Sequence, residues 1–124
     1  QEYAERWGAV CLLKGAPSVV ADGSGPVRVS PFRSAALAAG GTGDVLTGVA
    51  GALLAAGTPA ADAAAGALML TGIASERGGA PVGHISPDLC DELPAARRAV
   101  LEGPPEDRGR AGPVNFLAPA ARSA

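Results

Sequence analysis

Residues 38–48 read AAGGTGDVLTG, and this stretch restricts the fold more than any other in the chain. Gly40, Gly41 and Gly43 leave the backbone almost bare. From Thr42 an apolar pattern at helical spacing runs to about Ala56 and stops at Gly57. A bare loop opening straight into a helix leaves unpaired N–H groups and the positive end of the helix dipole within a ligand's reach, which is how backbone binds anions. Two better-known phosphate loops are excluded. No lysine follows in the manner of Gly-x-x-x-x-Gly-Lys-Ser/Thr, and Leu46 stands where the dinucleotide fingerprint needs its third glycine. Gly-Thr-Gly-Asp remains, a short motif with one acid, Asp44, in the first helical turn. A carboxylate repels a bound phosphate, so Asp44 suits the removal of a proton from a hydroxyl that attacks phosphorus. The alternative is that Asp44 merely complements the helix dipole, worth about 0.3–1 kcal/mol.

The loop belongs to an α/β pattern. "EYAERWG" reads as a helix end with Gly8 as a left-handed stop. "AVCLLK" is an apolar run of strand length and is expected to be a buried parallel strand. Residues 17–30 hold two β-prone runs about Asp22-Gly23-Ser24-Gly25, a hairpin signal. Arg28 and Ser30 alternate with Val27 and Val29, which predicts one wet face. Residues 31–41 read as a loop of little side-chain bulk. The helix after Thr42 offers Val45, Leu46, Val49, Leu53 and Leu54 as an apolar face. Gly48 and Gly51 weaken that helix by about 1 kcal/mol each and imply another backbone packed against them. Thr58 is expected to cap a second helix, with Pro59 in its first turn and Ala61, Ala65, Leu68, Gly72 and Ile73 at helical spacing. "SERGGAPVGHI" reads as a loop. Ser86 is expected to cap a third helix whose stripe is Leu89, Leu93, Ala96 and Val100, with Arg97 and Arg98 near its C-terminus. After Gly103 proline and glycine dominate, periodicity is lost and a mobile tail is expected, its "VNFL" undocked.

Composition sets the outer bounds. The chain has 124 residues, 48% hydrophobic but only 3% aromatic, so its core must be built from Ala, Val, Leu and Ile. With a net charge of −2 and no basic patch, it does not look like a nucleic-acid binder. Thr58-Pro59 and Asp62 interrupt the most apolar region below the roughly 20 residues a membrane span needs. With no signal-peptide pattern either, a cytoplasmic protein is expected. Cys11 and Cys90 lie far apart in apolar contexts and read as reduced, buried thiols, and no Cys/His spacing suggests zinc. His84, a single loop histidine, reads as structural. Lys14-Gly15 closes the first strand, where ligands of open α/β sheets bind; Lys14 is either a phosphate contact or a solvated side chain. The chain opens without Met on a helix end, so it reads as the C-terminal part of a larger domain.

Together, "LLKGAPSVVADGSG", "ALAAGGTGDVLTG" and "ISPDLCDELPAA" resemble the ADP-dependent NAD(P)H-hydrate dehydratases, repair enzymes with a ribokinase-like three-layer fold. The likeness runs from about Ala9 to Leu101 and covers the C-terminal part of that domain, here residues 1–102, with 103–124 as the tail. It implies that ADP, or ATP, phosphorylates the ring hydroxyl of the S form of NAD(P)H hydrate, and that loss of phosphate restores NAD(P)H. Carried over by position, Lys14, Gly15, Ala16, Pro17 and Ser18 line the nucleotide. Ser34 to Gly43 wrap its phosphate end, with Ala39, Gly40, Gly41, Thr42 and Gly43 at the glycine loop. Asp44 contacts the hydrate and acts as base. The resemblance also implies Mg2+, a homo-oligomer, and an NAD(P)H-hydrate epimerase fused to or working with the enzyme. The isolated fragment is expected to have little activity. Three positions depart from the family: Ser18 replaces a usual Thr, "SPFRSAA" replaces an Asn/Thr-Pro-rich lead-in, and Thr71 replaces a usual His. The rival readings are a small-molecule kinase of the same superfold, acting on a vitamin precursor or sugar, and a non-catalytic nucleotide-binding domain.

Overall fold

A computed structural model describes residues 1–78 and 83–103. The order is α1 (Glu2–Trp7), β1 (Cys11–Leu13), β2 (Val19–Ala21), β3 (Arg28–Val29), a 3₁₀ helix (Ala35–Ala38), α2 (Thr42–Ala55), α3 (Ala60–Arg77) and α4 (Ser86–Glu102). The protein is therefore α/β, with a small antiparallel sheet and helices packed beside it.

Gly8 ends α1 as its sequence indicates, at φ +58°. Its N–H donates to the Glu5 carbonyl at 3.2 Å, and the Ala9 N–H donates to Ala4 at 3.1 Å. These are the paired bonds of a Schellman stop, and they deliver the chain into β1. The β1 strand is not parallel to its neighbour. Cys11 to Leu13 pair antiparallel with Ala21 to Val19, and Val19 and Val20 pair with Val29 and Arg28. Nor is β1 deeply buried: Leu13 is 71% exposed, because β1 is the edge of the sheet among the described residues. An apolar run of this length fits any strand with a covered face, which is why the sequence did not fix its direction.

The hairpin forms where expected. The Asp22 carboxylate accepts from the Gly25 N–H at 2.6 Å and the Ser24 N–H at 3.1 Å. The Gly25 bond holds the Asp22 carboxyl below its ordinary pKa, with Ser24 and the Arg28 charge adding and desolvation opposing. Gly23 sits at φ +82°, and a Cβ there would lie 2.8 Å from the Glu5 backbone, so α1 rests on the turn. The expected wet face of β3 is not wet. Ser30 is buried, and Arg28 reaches across to Asp62 of α3 at 2.6 Å, because α3 covers this side of the hairpin.

The core lies along α3. Ala63, Ala64, Ala65, Ala67, Ala74, Thr71, Gly72 and Ser75 are all buried there. Side chains this small let helix axes approach closely, which suits a chain with so few aromatics. Leu89 and Ala96 of α4 close against Ala74, with Leu37, Val45, Ile73 and Leu93 packed around them. The α4 stripe therefore points inward as its spacing indicates. Pro94 is tolerated on the exposed side of that helix. Arg97 and Arg98 fall short of its last turn, which carries no basic residue.

The caps depart from expectation. Gly41, Pro59 and Ile85 stand at the three N-cap positions, one residue before Thr42, Ala60 and Ser86. Thr58, Thr42 and Ser86 therefore do not cap. At α4 the stabilising contact comes instead from Asp88, whose carboxylate accepts from the Ile85 N–H at 2.9 Å. The α3 helix runs through Ser75, Glu76 and Arg77, so the following loop is shorter than its sequence suggests. Of α2's apolar face, Leu46 is buried, Val45, Val49 and Leu53 are half-buried and Leu54 is exposed. No other part of the described residues approaches within 4 Å of a Cβ built at Gly48 or Gly51, so none of their backbone packs there. The thiols are free, but Cys90 is exposed and Cys11 half-buried rather than both buried. The expected tail and "VNFL" lie outside the described residues, as does most of the loop before His84. No helix among the described residues is long and apolar enough to cross a membrane.

Candidate functional site

Between β1, the loop after β3, the 3₁₀ helix, α2 and α3 lies an open cleft of about 360 Å³. Lys14, Gly15, Ala16, Ser18, Arg33, Ser34, Ala38, Thr42 and Thr71 border it, and Phe32, Leu37, Leu46 and Leu68 supply apolar wall. That volume lies within the range of small-molecule sites, and the mixture of apolar wall and few polar groups is typical of them. A recess beside it, under Met69, holds only about 10 Å³ and has no room for such a ligand.

Each border is built locally. After β1 the chain turns at Gly15. The Ser18 hydroxyl accepts from the Gly15 N–H at 3.2 Å and donates to the Gly15 carbonyl at 3.0 Å, closing the Gly15–Ser18 turn on itself. The hydroxyl shared by Ser and Thr therefore has a structural task at this position. After β3, the Phe32 ring lies against Gly72 of α3, so closely that any Cβ at position 72 would overlap it. Ser34 then caps the 3₁₀ helix, accepting from the Ala36 N–H at 3.3 Å. That helix occupies a stretch whose sequence reads as loop, although a Ser followed by an alanine-rich run is a legible capping signal.

The glycine loop carries the chain into α2. Gly41 takes φ +85°, and a Cβ on it would fall 2.6 Å from the Ser86 Oγ at the start of α4. Two helix starts thus meet at this glycine. The Thr42 hydroxyl, which sequence alone offered as cap or phosphate donor, lies 2.8 Å from the carbonyls of both Leu37 and Ala39 and donates there. It is committed inward, and Thr42 is 6% exposed. The N–H groups of Gly40, Gly41 and Gly43 have no backbone acceptor among the described residues.

Gly43 leaves room for a close approach in the site. The Lys14 ammonium lies directly on it, where any side chain would have to be. Lys14 has no ion-pair partner among the described residues, and Asp44 is not paired with it. A cation held at the positive end of a helix is unfavourable by itself and becomes favourable when an anion joins both. Asp44 stands exposed in the first turn of α2, next to that contact but outside the cleft's lining.

The structure thus brings Lys14, Gly15, Ala16, Ser18 and Thr42 to the cleft, and Lys14 to Gly43. Pro17, Ala39, Gly40, Gly41 and Asp44 lie beside those residues in the chain but do not line the cleft. Thr71 borders the cleft with its hydroxyl donated to the Ala67 carbonyl at 2.8 Å. His84 is not at the cleft. Its side chain is 3% exposed, with Nδ1 4.0 Å from an Asp88 oxygen and Nε2 without a partner among the described residues. Sequence reasoning missed Arg33 and the apolar wall. Arg33 did leave a signal, as the only charged residue between Arg28 and Asp44. Among the described residues no three His, Cys, Asp or Glu side chains converge as a metal site would require.

The profile of the NAD(P)H-hydrate dehydratase family matches residues 1–93. The chain is 50% identical over 97 residues to a bifunctional NAD(P)H-hydrate repair enzyme Nnr of Salinibacter ruber, covering 76% of this chain and 18% of that protein. It is 38% identical over 104 residues to the enzyme of the same name from Moorella thermoacetica, covering 82% of this chain and 20% of the relative. A third relative, the ADP-dependent (S)-NAD(P)H-hydrate dehydratase of Cenarchaeum symbiosum, is 35% identical over 100 residues, which cover 79% of this chain and 34% of the relative.

Proposed function

Given that the chain belongs to the NAD(P)H-hydrate dehydratase family, we propose that it supplies the phosphoryl-transfer part of an ADP-dependent (S)-NAD(P)H-hydrate dehydratase. Nicotinamide-nucleotide repair is the resulting function. The observation that carries this reading is the Lys14 ammonium seated on Gly43 at the mouth of α2, beside a cleft of nucleotide-compatible volume and one residue before Asp44.

In this reading Lys14, Gly15, Ala16, Pro17 and Ser18 receive the nucleotide. Ala39 to Gly43 turn bare backbone toward its phosphates. The N–H groups of Gly40, Gly41 and Gly43 and the Lys14 ammonium stabilise negative charge as it grows on the transferring group. Asp44 takes the proton from the hydroxyl of the hydrate. That oxygen bonds to the terminal phosphorus of ADP, and the bond from phosphorus to the bridging oxygen breaks to release AMP. The phosphorylated carbon then loses phosphate with the C–O bonding pair, a proton leaves the adjacent carbon, and the ring double bond of NAD(P)H returns. A Mg2+ ion would arrive held chiefly by the phosphates, with Asp44 the nearest carboxylate of the loop. In this reading the strand, hairpin, glycine loop and helices are one section of a ribokinase-like fold, and β1, the sheet edge among the described residues, is where further strands would add. Homo-oligomeric assembly and a partnering NAD(P)H-hydrate epimerase belong to the same proposal.

The test uses the full-length protein. NADH hydrate is supplied with and without ADP, and the return of reduced-nicotinamide absorbance is followed for wild type and Asp44→Asn. ADP-dependent recovery is expected, with a loss of about 10²- to 10⁴-fold in the variant, the usual worth of a general base. A folded, ADP-binding protein that returns no NADH, but phosphorylates a small alcohol and releases it, would instead be a kinase of the same superfold.

A further inference from the structure

We propose that Arg33 is a specificity-determining residue of the cleft, its guanidinium taking a phosphate group of the bound ligand; this rests on reading the cleft as the site for ADP and NAD(P)H hydrate. Arg33 is among the residues that border the cleft, and it is exposed. The ion pairs among the described residues join Arg28 to Asp62, Arg77 to Glu92 and His84 to Asp88, and leave Arg33 without a carboxylate. No Asp or Glu is among the lining residues, so Arg33 and Lys14 give the cleft two uncompensated positive charges. Clefts of one sign concentrate ligands of the other.

The backbone beneath Arg33 is fixed on both sides. Phe32 is wedged on Gly72 and donates its N–H to the Ser30 hydroxyl at 3.4 Å. Ser34 is committed to the Ala36 N–H. A ligand therefore has only the Arg33 side chain to order, which keeps the entropy cost of the contact low. A guanidinium makes two parallel hydrogen bonds to the oxygens of a phosphate, a geometry that an ammonium such as Lys14 does not provide. The phosphate could belong to the nucleotide or to the dinucleotide hydrate.

The experiment measures binding of ADP, AMP and NADPH, the last as substrate-side probe, by calorimetry at two salt concentrations. It uses the full-length protein, Arg33→Ala and Arg33→Lys. Arg33→Ala is expected to weaken ADP or NADPH about tenfold or more, as for a lost charge-assisted pair, with partial recovery in Arg33→Lys. A loss for ADP but not AMP assigns the terminal phosphate. A parallel loss for both assigns the inner one, and a loss confined to NADPH assigns the substrate side. Affinities within twofold of wild type for all three ligands overturn the proposal, as does a folded wild type that binds neither ADP nor NADPH. ADP-dependent recovery of NADH, measured on the same preparations, separates the two ideas. Normal turnover with an indifferent Arg33 sinks this inference alone, whereas Arg33-dependent ADP binding without turnover sinks the dehydratase reading alone.

Discussion

Helices α2 and α3 lie side by side, are both rich in glycine and alanine, and use their glycines in opposite ways. In α3 the glycines are crowded along the helix. A Cβ at Gly66 would meet Leu53 at 3.2 Å, and one at Gly72 would overlap the Phe32 ring. In α2 only the first turn is crowded, by the Lys14 ammonium on Gly43, while Gly48 and Gly51 face open space. So α3 is a packed axis and α2 is a helix held by one face and its mouth. A glycine in a helix interior costs about 1 kcal/mol relative to alanine, whereas Gly43 stands in the first turn of α2. What each glycine meets differs: close packing at Gly72, the Lys14 ammonium at Gly43, and nothing among the described residues at Gly48 and Gly51.

Four substitutions test this contrast. Gly72→Ala should have the largest effect, destabilising by about 1–3 kcal/mol as the added methyl forces Phe32 out of its seat. Denaturant unfolding reads it, and an unchanged midpoint would mean that Phe32 moves freely. Gly43→Ala should divide the two properties. The methyl displaces the Lys14 ammonium, so kcat/KM for ADP should fall about tenfold, equivalent to about 1.4 kcal/mol, while the unfolding midpoint hardly moves. A loss of stability without loss of activity would make that contact structural. Gly48→Ala and Gly51→Ala should each stabilise by about 0.5–1 kcal/mol. If either destabilises the full-length protein, a further part of it or a second copy covers that face, and the contrast between the helices disappears.

Much of this was legible in the residues. Period and punctuation gave the Gly8 stop, the Asp22–Gly25 turn, the extent of α2 to Gly57 and the inward stripe of α4. The Lys14-Gly15 pair at the end of the first strand and the glycine loop before α2 were both legible as segments, and the structure sets the Lys14 ammonium on Gly43. Features set by tertiary packing were not legible. The antiparallel partner of β1, the burial of Ser30 under α3, and the exposure of Cys90 depend on what lies opposite, which composition does not record. The caps failed for a related reason. Thr42 and Ser86 have capping side chains, but Thr42 donates to two carbonyls of the preceding turn, and Asp88 supplies the bond at α4. Gly48 and Gly51 were misread because the same residue type serves close approach in one helix and none in the next. Arg33 was missed because a single cation in a short loop is ordinarily solvated, and its place beside the cleft is set by tertiary structure.

The inward hydroxyl of Thr42 has a kinetic consequence. By lying against both Leu37 and Ala39 it ties the end of the 3₁₀ helix to the start of α2 across the glycine loop between them. Much of the ordering that a flexible glycine loop would require on each encounter is then complete before a ligand arrives. Capture at this site should be governed by diffusion and charge rather than by a slow search through loop conformations.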